Sequence, residues 1–255
     1  MKSRGFRRAA AVAAVIVATL GASTRAEASH SWGGYHWART ANPFTLKLGN
    51  NLSSKWNSFL GTASSDWSQS TVLDTTIVAG ATNPRNCKAT NGTVQVCNST
   101  YGSTGWLGVA QIWLSGSHIT RGSVKVNDTY FDTATYNTPA WRNRVMCQEV
   151  GPTLGLDHQD TIFENTNLNT CMDYTNDPGT NQHPNQHDYD ELGSIYGHVD
   201  DSTTVAGALS TPGGKGADSS DWGRRVSGST KPGTVAGYVK DLGGGDFVVT
   251  FVINA

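Results

Sequence analysis

Residues 148–158 read QEVGPTLGLDH, and this stretch decides the fold that the chain is expected to adopt. Positions 148 and 152 are four residues apart, so on a helix their side chains share one face. Gly155 can adopt the positive φ that lets a chain reverse at the end of a helix. Such a reversal would return His158 to the face that carries positions 148 and 152. The stretch therefore predicts a helix followed by a tight reversal.

The hydrophobic periodicity around this stretch predicts an α+β fold with a twisted, mixed sheet. Thr138 and Pro139 form a helix start, because a hydroxyl N-cap followed by proline suits the first helical turn. Apolar side chains at three- and four-residue spacing predict an earlier helix over residues 52–67, and a closing helix is expected over residues 188–196. Strands are expected over residues 44–48, 72–78, 93–97, 109–114 and 123–126, with a loop containing Gly116 and Gly122 between the last two.

The two ends of the chain carry features separate from this core. A basic start, the apolar run at residues 9–20 and the pattern Ala26-Glu27-Ala28 predict a cleavable signal peptide. A β-hairpin is expected near the C-terminus; it is too small to be stable alone, so it should pack on the main domain. The expected units are a signal peptide (1–28), a main domain (29–199), a linker rich in Ser, Thr, Gly and Pro (200–221) and a small C-terminal β-hairpin extension (222–255), with hairpin strands at 234–240 and 247–253.

Composition and charge narrow the classes of partner. The chain has 19 Lys and Arg and 20 Asp and Glu, which gives a formal net charge of -1 at pH 7. No cluster of basic residues follows the predicted signal peptide, so neither nucleic acid nor an anionic membrane surface is an expected partner. No later segment of the sequence is apolar enough to cross a bilayer. We expect a secreted, extracellular monomer.

Four cysteines in a chain predicted to be exported favour two disulfide bonds, although three pairings are formally possible. Asn91-Gly92 is a strong hairpin signal, so we expect Cys87 to pair with Cys97. Cys147 would then pair with Cys171, which would tie the start of the 148–158 stretch to the segment that contains Met172. A cysteine-ligated metal is not favoured, because the sequence has no C-x-x-C pair.

These features together resemble the metzincin zinc metallopeptidases, and within them the matrixin-like secreted bacterial type. Their motif H-E-x-x-H-x-x-G-x-x-H places three zinc ligands beside a general-base glutamate. Glu149, Gly155 and His158 occupy the corresponding positions here, and Met172 follows at a spacing suitable for the Met-turn of this superfamily. Residues 187–197, HDYDELGSIYG, resemble the closing helix of the matrixin catalytic domain.

The resemblance, which covers roughly residues 35–198, implies a metzincin-like catalytic domain and a secreted zinc metalloendopeptidase acting on a peptide or protein substrate. Glu149 would be the general base, His158 a zinc ligand and Met172 the apolar floor of the site. Tyr174 matches the Met-x-Tyr form of astacin- and serralysin-like metzincins, in which the phenol can stabilise an oxyanion.

Two of the three zinc-ligand positions are replaced in this sequence. Gln148 offers only a neutral amide oxygen, which is a weak zinc ligand compared with imidazole. Pro152 offers no ligand atom, and in a continuous helix it removes a backbone donor and clashes with the carbonyl of residue 148, at a cost of about 3 kcal/mol. Asp157, beside His158, is a candidate substitute ligand. Four further histidines are expected to be solvated in polar loops: His118, His183, His187 and His198.

Two functional classes remain open from the sequence. The first is a zinc endopeptidase with Glu149 as its base. The second is a pseudopeptidase that binds peptides or proteins in the cleft without hydrolysing them. In both, residues 109–114 would be the edge strand that an extended peptide joins by β-augmentation. The eight tryptophans suggest a carbohydrate-binding module as a further alternative. That alternative does not explain the spacing of Glu149, Gly155, His158 and Met172.

Overall fold

A nine-stranded mixed sheet forms the body of the structure, a computed structural model that describes residues 30–160, 162–205 and 221–255. Its strands are β1 (His36–Trp37), β2 (Phe44–Asn51), β3 (Leu73–Ala79), β4 (Thr93–Ser99), β5 (Trp106–Ser115), β6 (His118–Asn127), β7 (Arg224–Gly228), β8 (Val235–Gly243) and β9 (Asp246–Asn254). The helices are α1 (Ser54–Trp67), α2 (Asp128–Phe131), α3 (Pro139–Thr153) and α4 (Gln186–Ile195). The α+β class predicted from the sequence is confirmed. The predicted signal peptide and most of the predicted linker lie outside the described residues.

The sheet has a parallel half and an antiparallel half. Its order is β3-β2-β4-β6-β5-β9-β8-β7, and β1 pairs with the start of β6. The pairs formed among β1, β2, β3, β4 and β6 are parallel, whereas β5, β7, β8 and β9 join the sheet through antiparallel pairs. The loop predicted between β5 and β6 is wrong in its extent. Gly122 lies inside β6, paired with Val94 and Ile112, because a glycine in a central strand allows close packing as readily as it marks a turn.

α3 begins and α1 packs as their sequence patterns predict, whereas α1 starts at Ser54 and α4 at Gln186, each near but not at the predicted residue. The Thr138 side chain caps α3 by accepting a hydrogen bond from the Trp141 amide (3.3 Å). The apolar stripe of α1 is buried in the main core, at Trp56, Leu60, Ala63 and Trp67. Pro152 lies inside the last turn of α3, which continues to Thr153. The loss of one backbone donor therefore falls at the helix end, where few bonds remain to be broken.

The C-terminal hairpin is confirmed, but it belongs to the main sheet instead of standing beside it. β9 pairs with β5 along its whole length, from Ser115 with Asp246 to Trp106 with Asn254. Alternate β9 side chains, Val249, Phe251 and Ile253, enter the main core. The prediction that residues 109–114 form a free edge strand is wrong, because β5 lies between β6 and β9. A strand as apolar on both faces as β9 gains most free energy by pairing in the sheet interior.

Both predicted disulfides are present. Cys87–Cys97 and Cys147–Cys171 each have Cα atoms 5.9 Å apart. The hairpin expected between Cys87 and Cys97 is wrong: Asn91-Gly92 forms a turn that leads directly into β4, a strand paired in parallel with β2 and β6. The dipeptide specifies a local turn, and the partner of the following strand is chosen by distant segments.

No helix within the described ranges combines the length and the apolar character that a membrane span requires.

Candidate functional site

The chain reverses at the end of α3, as the 148–158 stretch predicts. Gly155 has a φ of +97°, and a Cβ atom there would lie 2.3 Å from the Tyr35 carbonyl oxygen, so the reversal requires glycine. Beyond the reversal, the Gln159 amide donates to the Met172 carbonyl (2.9 Å). The segment around His158 therefore packs against the turn that contains Met172.

Met172 and Tyr174 lie beside the last turns of α3. Met172 is fully buried, and its Sδ atom would be 2.5 Å from a Cβ atom built on Gly151. The ring of Tyr174 meets the His158 ring edge-on, with centroids 6.1 Å apart. The structure thus brings His158, Met172 and Tyr174 together at the end of the motif helix. The Tyr174 hydroxyl donates to the carbonyl of Val235 in β8 (3.3 Å), so the C-terminal strands already hold this phenol.

Glu149 lies beneath the sheet and not in an open cleft. Its residue is 1% exposed. The carboxyl contacts Gly108 of β5, where a Cβ atom would lie 2.3 Å from Oε1. Gly108 is the register partner of Ile253 in β9. Because the backbone amides of Ala110 and Ile253 both face the carboxyl, β5 and β9 together cover Glu149.

This burial controls the protonation of Glu149. Desolvation raises the pKa of the Glu149 carboxyl well above its ordinary value, and Arg144 together with the facing amides of Ala110 and Ile253 offsets only part of the rise. Neither carboxyl oxygen has a hydrogen bond of normal geometry within the described residues. A buried, poorly solvated carboxyl of this kind favours the neutral, protonated form.

The raised pKa makes the stability of the protein depend on pH. The folded state holds the Glu149 proton more tightly than the unfolded chain, whose glutamates titrate near about 4.3. The stabilisation from this group is therefore complete below that pH and is lost as the pH rises through the folded pKa. Glu149→Gln removes the titration. Urea unfolding between about pH 4.5 and about pH 8 should therefore show that the free energy of unfolding of E149Q increases relative to that of the wild type as the pH rises. The exposed Glu164 offers E164Q as a matched control. A difference that does not vary with pH would mean that Glu149 is ionised and solvated in the folded protein.

The three motif positions 148, 152 and 158 offer two atoms that could bind a metal ion. Gln148 is 1% exposed; its Nε2 donates to the Asp173 carbonyl (3.3 Å), while its Oε1 has no partner in the described structure. His158 Nδ1 lies 3.3 Å from Asp157 Oδ1, and its Nε2 is likewise buried without a described partner. Pro152 is buried and has no side-chain atom that could bind a metal ion. The amide oxygen and one ring nitrogen are thus left for any ligand.

A small opening lies next to His158. Its cavity of about 20 Å³ is lined by residues from the motif segment and from the C-terminal strands, including Asp157, His158, Tyr174, Val235, Gly237 and Phe251. That volume holds about one water molecule.

The expectation of solvated loop histidines is right for His183 and His198, which are exposed, and wrong for His118, which begins β6, and for His187, which lies in α4. His183 is paired with Asp66 at 2.7 Å, and His187 stacks on His30 with centroids 4.8 Å apart. His118 and His198 both approach Asp200, as does His36. Among the described residues, one set of at least three His, Cys, Asp or Glu side chains brings its ligand atoms within 4.8 Å of one another: His36, His198 and Asp200. Sequence reasoning missed this set, because its members are up to 164 positions apart.

Comparison of the sequence with protein-family models finds no match, and no curated protein matches it in sequence.

Proposed function

We propose that this chain is an exported pseudopeptidase: a protein built on the metzincin plan that does not hydrolyse peptide bonds and that holds its own C-terminal strand where an extended peptide would pair. The observation that carries the proposal is the pairing of β9 with β5 directly over Glu149. Because β5 is paired on both sides, the place on β5 that an extended polypeptide would use is already filled by this chain's own β9.

The order and contacts of the elements support the metzincin part of the proposal. A sheet, a buried motif helix, a glycine reversal and a closing helix follow one another along the chain. Met172 packs under Gly151, and the Met172 carbonyl accepts a hydrogen bond from Gln159, next to His158. These contacts support the metzincin part of the proposal, because the resemblance expects Met172 to lie beneath the site.

Three features speak against hydrolysis. The side chains at positions 148, 152 and 158 do not fit a three-ligand zinc site, because Pro152 has no ligand atom and Gln148 has only an amide oxygen. Glu149 is covered by β5 and β9 and favours its protonated form, so it has no access to a water molecule that it could deprotonate. The Tyr174 hydroxyl is held by the Val235 carbonyl.

Export is the second part of the proposal. Both cysteine pairs are closed as disulfides, which suits an oxidising compartment. The signal-like sequence at residues 1–28 points to the same compartment.

Digestion of casein by the purified protein beginning at Ser29 tests the proposal. We expect no hydrolysis above that of E149Q, with or without added zinc and with or without a chelator. Chelator-sensitive cleavage that is present in the wild type and absent in E149Q would overturn it, since only a working metal site with Glu149 as base gives that pattern.

A latent zinc endopeptidase is the second candidate, and a specific observation favours it. Gln148 Oε1 and His158 Nε2 are both buried without a described partner, and buried polar atoms usually have one. If these atoms bind zinc, casein cleavage should appear on zinc addition alone. If the protein is a pseudopeptidase, no casein cleavage should appear under the same conditions.

A further inference from the structure

Three histidines and one aspartate meet on the side of the sheet where β1 joins β6. His36 lies in β1 opposite His118, the first residue of β6, in parallel register. His198 and Asp200 follow α4. We call His36, His118, His198 and Asp200 the histidine cluster. It joins three segments that are distant in the sequence, and it is separate from Glu149 and His158.

The distances among His36, His198 and Asp200 match the edges of a tetrahedron around a metal ion. Ligands bound at about 2.0–2.1 Å in tetrahedral geometry are about 3.3–3.4 Å apart. His36 Nε2 lies 3.4 Å from Asp200 Oδ1 and 3.2 Å from His198 Nε2. His198 Nε2 lies 3.7 Å from the same Asp200 oxygen, and His118 Nε2 approaches that oxygen at 3.3 Å.

Neighbouring groups orient two of these side chains as they do in metal sites. His36 Nδ1 lies 2.8 Å from the Gly34 carbonyl oxygen, which can only accept, so Nδ1 carries the proton. In the neutral ring, Nε2 then carries no proton; it faces Asp200 and is available to bind a metal ion. Arg39 donates to Asp200 Oδ2 from its backbone amide (3.1 Å) and from Nη1 (2.8 Å). Oδ1 is therefore left to the imidazoles.

An ion pair network without metal is the alternative account, but it leaves a conflict. The bare Nε2 of neutral His36 faces a carboxylate oxygen at 3.4 Å and a second ring nitrogen at 3.2 Å. A His198 ring protonated at Nε2 would donate to His36 Nε2 and satisfy the second contact, but the first contact would still join two acceptors, which repel unless a proton or a cation lies between them. A shared cation resolves both contacts at once. The half-exposed His198 (49%) and His118 (35%) leave a route for an ion from solvent.

We propose that the histidine cluster binds one divalent cation of the zinc class, with His36, His198 and Asp200 as its protein ligands. His118 approaches the same Asp200 oxygen but lies outside this compact set, so it is not counted as a ligand. Two imidazoles and one carboxylate suit zinc better than calcium or magnesium, which prefer oxygen ligands. Three protein ligands leave the fourth position open to water, and the ion would tie β1 to the segment after α4.

Zinc titration of the chelator-treated protein, purified without a histidine tag, tests this site. Calorimetry should detect one bound equivalent of Zn²⁺, and thermal unfolding should shift to higher temperature when zinc is added. His198→Ala should weaken zinc binding by about 100-fold or more and abolish the thermal shift, because removal of supporting groups alone costs about 10–100-fold. Co²⁺ in place of Zn²⁺ should give the absorption spectrum of a tetrahedral site.

Two matched variants locate the ion. His158→Ala and His183→Ala remove histidines outside the cluster and should leave both the stoichiometry and the thermal shift unchanged. The proposal is overturned if the wild type binds no zinc, or if binding survives His198→Ala and is lost in His158→Ala. Circular dichroism of the zinc-free variants checks that each is folded. If a variant is unfolded, the titration of the wild type still tests whether the protein binds zinc.

Discussion

Phe251→Ala is expected to lower the free energy of unfolding by about 3–5 kcal/mol. Phe251 lies in β9, is 2% exposed and packs in the main core, with its ring 4.9 Å from that of Trp32. Truncation removes this burial and leaves a cavity between the C-terminal strands and the rest of the domain. Urea unfolding followed by tryptophan fluorescence measures the change, which should appear as a single cooperative transition.

Leu242→Ala is the matched control within the same C-terminal hairpin. Leu242 is 49% exposed, so its truncation should change the free energy of unfolding by less than about 0.5 kcal/mol. Equal small effects for both variants would show that β8 and β9 form a separate, weakly attached hairpin. In that case β5 would have a free edge, and the proposed reason for the absence of hydrolysis would fail.

Replacing Gln148 and Pro152 together by histidine is expected to create a zinc site at His158. The two new imidazoles would share the face of α3 that His158 meets after the reversal, which completes a three-histidine set. Changes in groups that merely support metal ligands alter affinity by about 10–100-fold, so two added ligands should strengthen binding by more than about 100-fold. Calorimetry in the His198→Ala background isolates this site from the histidine cluster.

The alanine pair Q148A/P152A is the control for this experiment. It relieves the helix of its proline without adding a ligand, so it should bind no more zinc than its parent. We expect Q148H/P152H to remain unable to digest casein, because β9 still covers Glu149. Cleavage by the double-histidine variant would contradict the covering role of β9, and unchanged zinc affinity would contradict the placement of positions 148, 152 and 158 around one point.

The features predicted correctly are those that short-range interactions specify. The Thr138 cap, the buried stripe of α1 and the Gly155 reversal each depend on residues within a few positions of one another. The β8–β9 hairpin is likewise local. The two disulfides were also predicted, although the hairpin argument for Cys87–Cys97 was wrong in its strand pairing.

The errors concern neighbours that are far apart in the chain. Residues 109–114 have the apolar composition of a strand, which does not identify the strands that pair on each side, so the sequence could not show that β9 pairs there. For the same reason, the burial of Glu149 was not foreseen. The histidine cluster has no motif spacing, since His36 and Asp200 come from opposite ends of the domain.

The amino-acid sequence by itself determined the longer elements, several of their caps and turns, and the loss of two ligand positions, because each depends on residue type and on spacing over a few residues; the short elements β1, α2 and β7 were not predicted. The tertiary structure alone decided which strand edges are covered, that the carboxyl of Glu149 is buried and favours its neutral form, and that three scattered histidines face one aspartate. These properties arise when segments more than 80 residues apart pair in one sheet, and such pairing reflects the burial of whole surfaces that no single segment encodes.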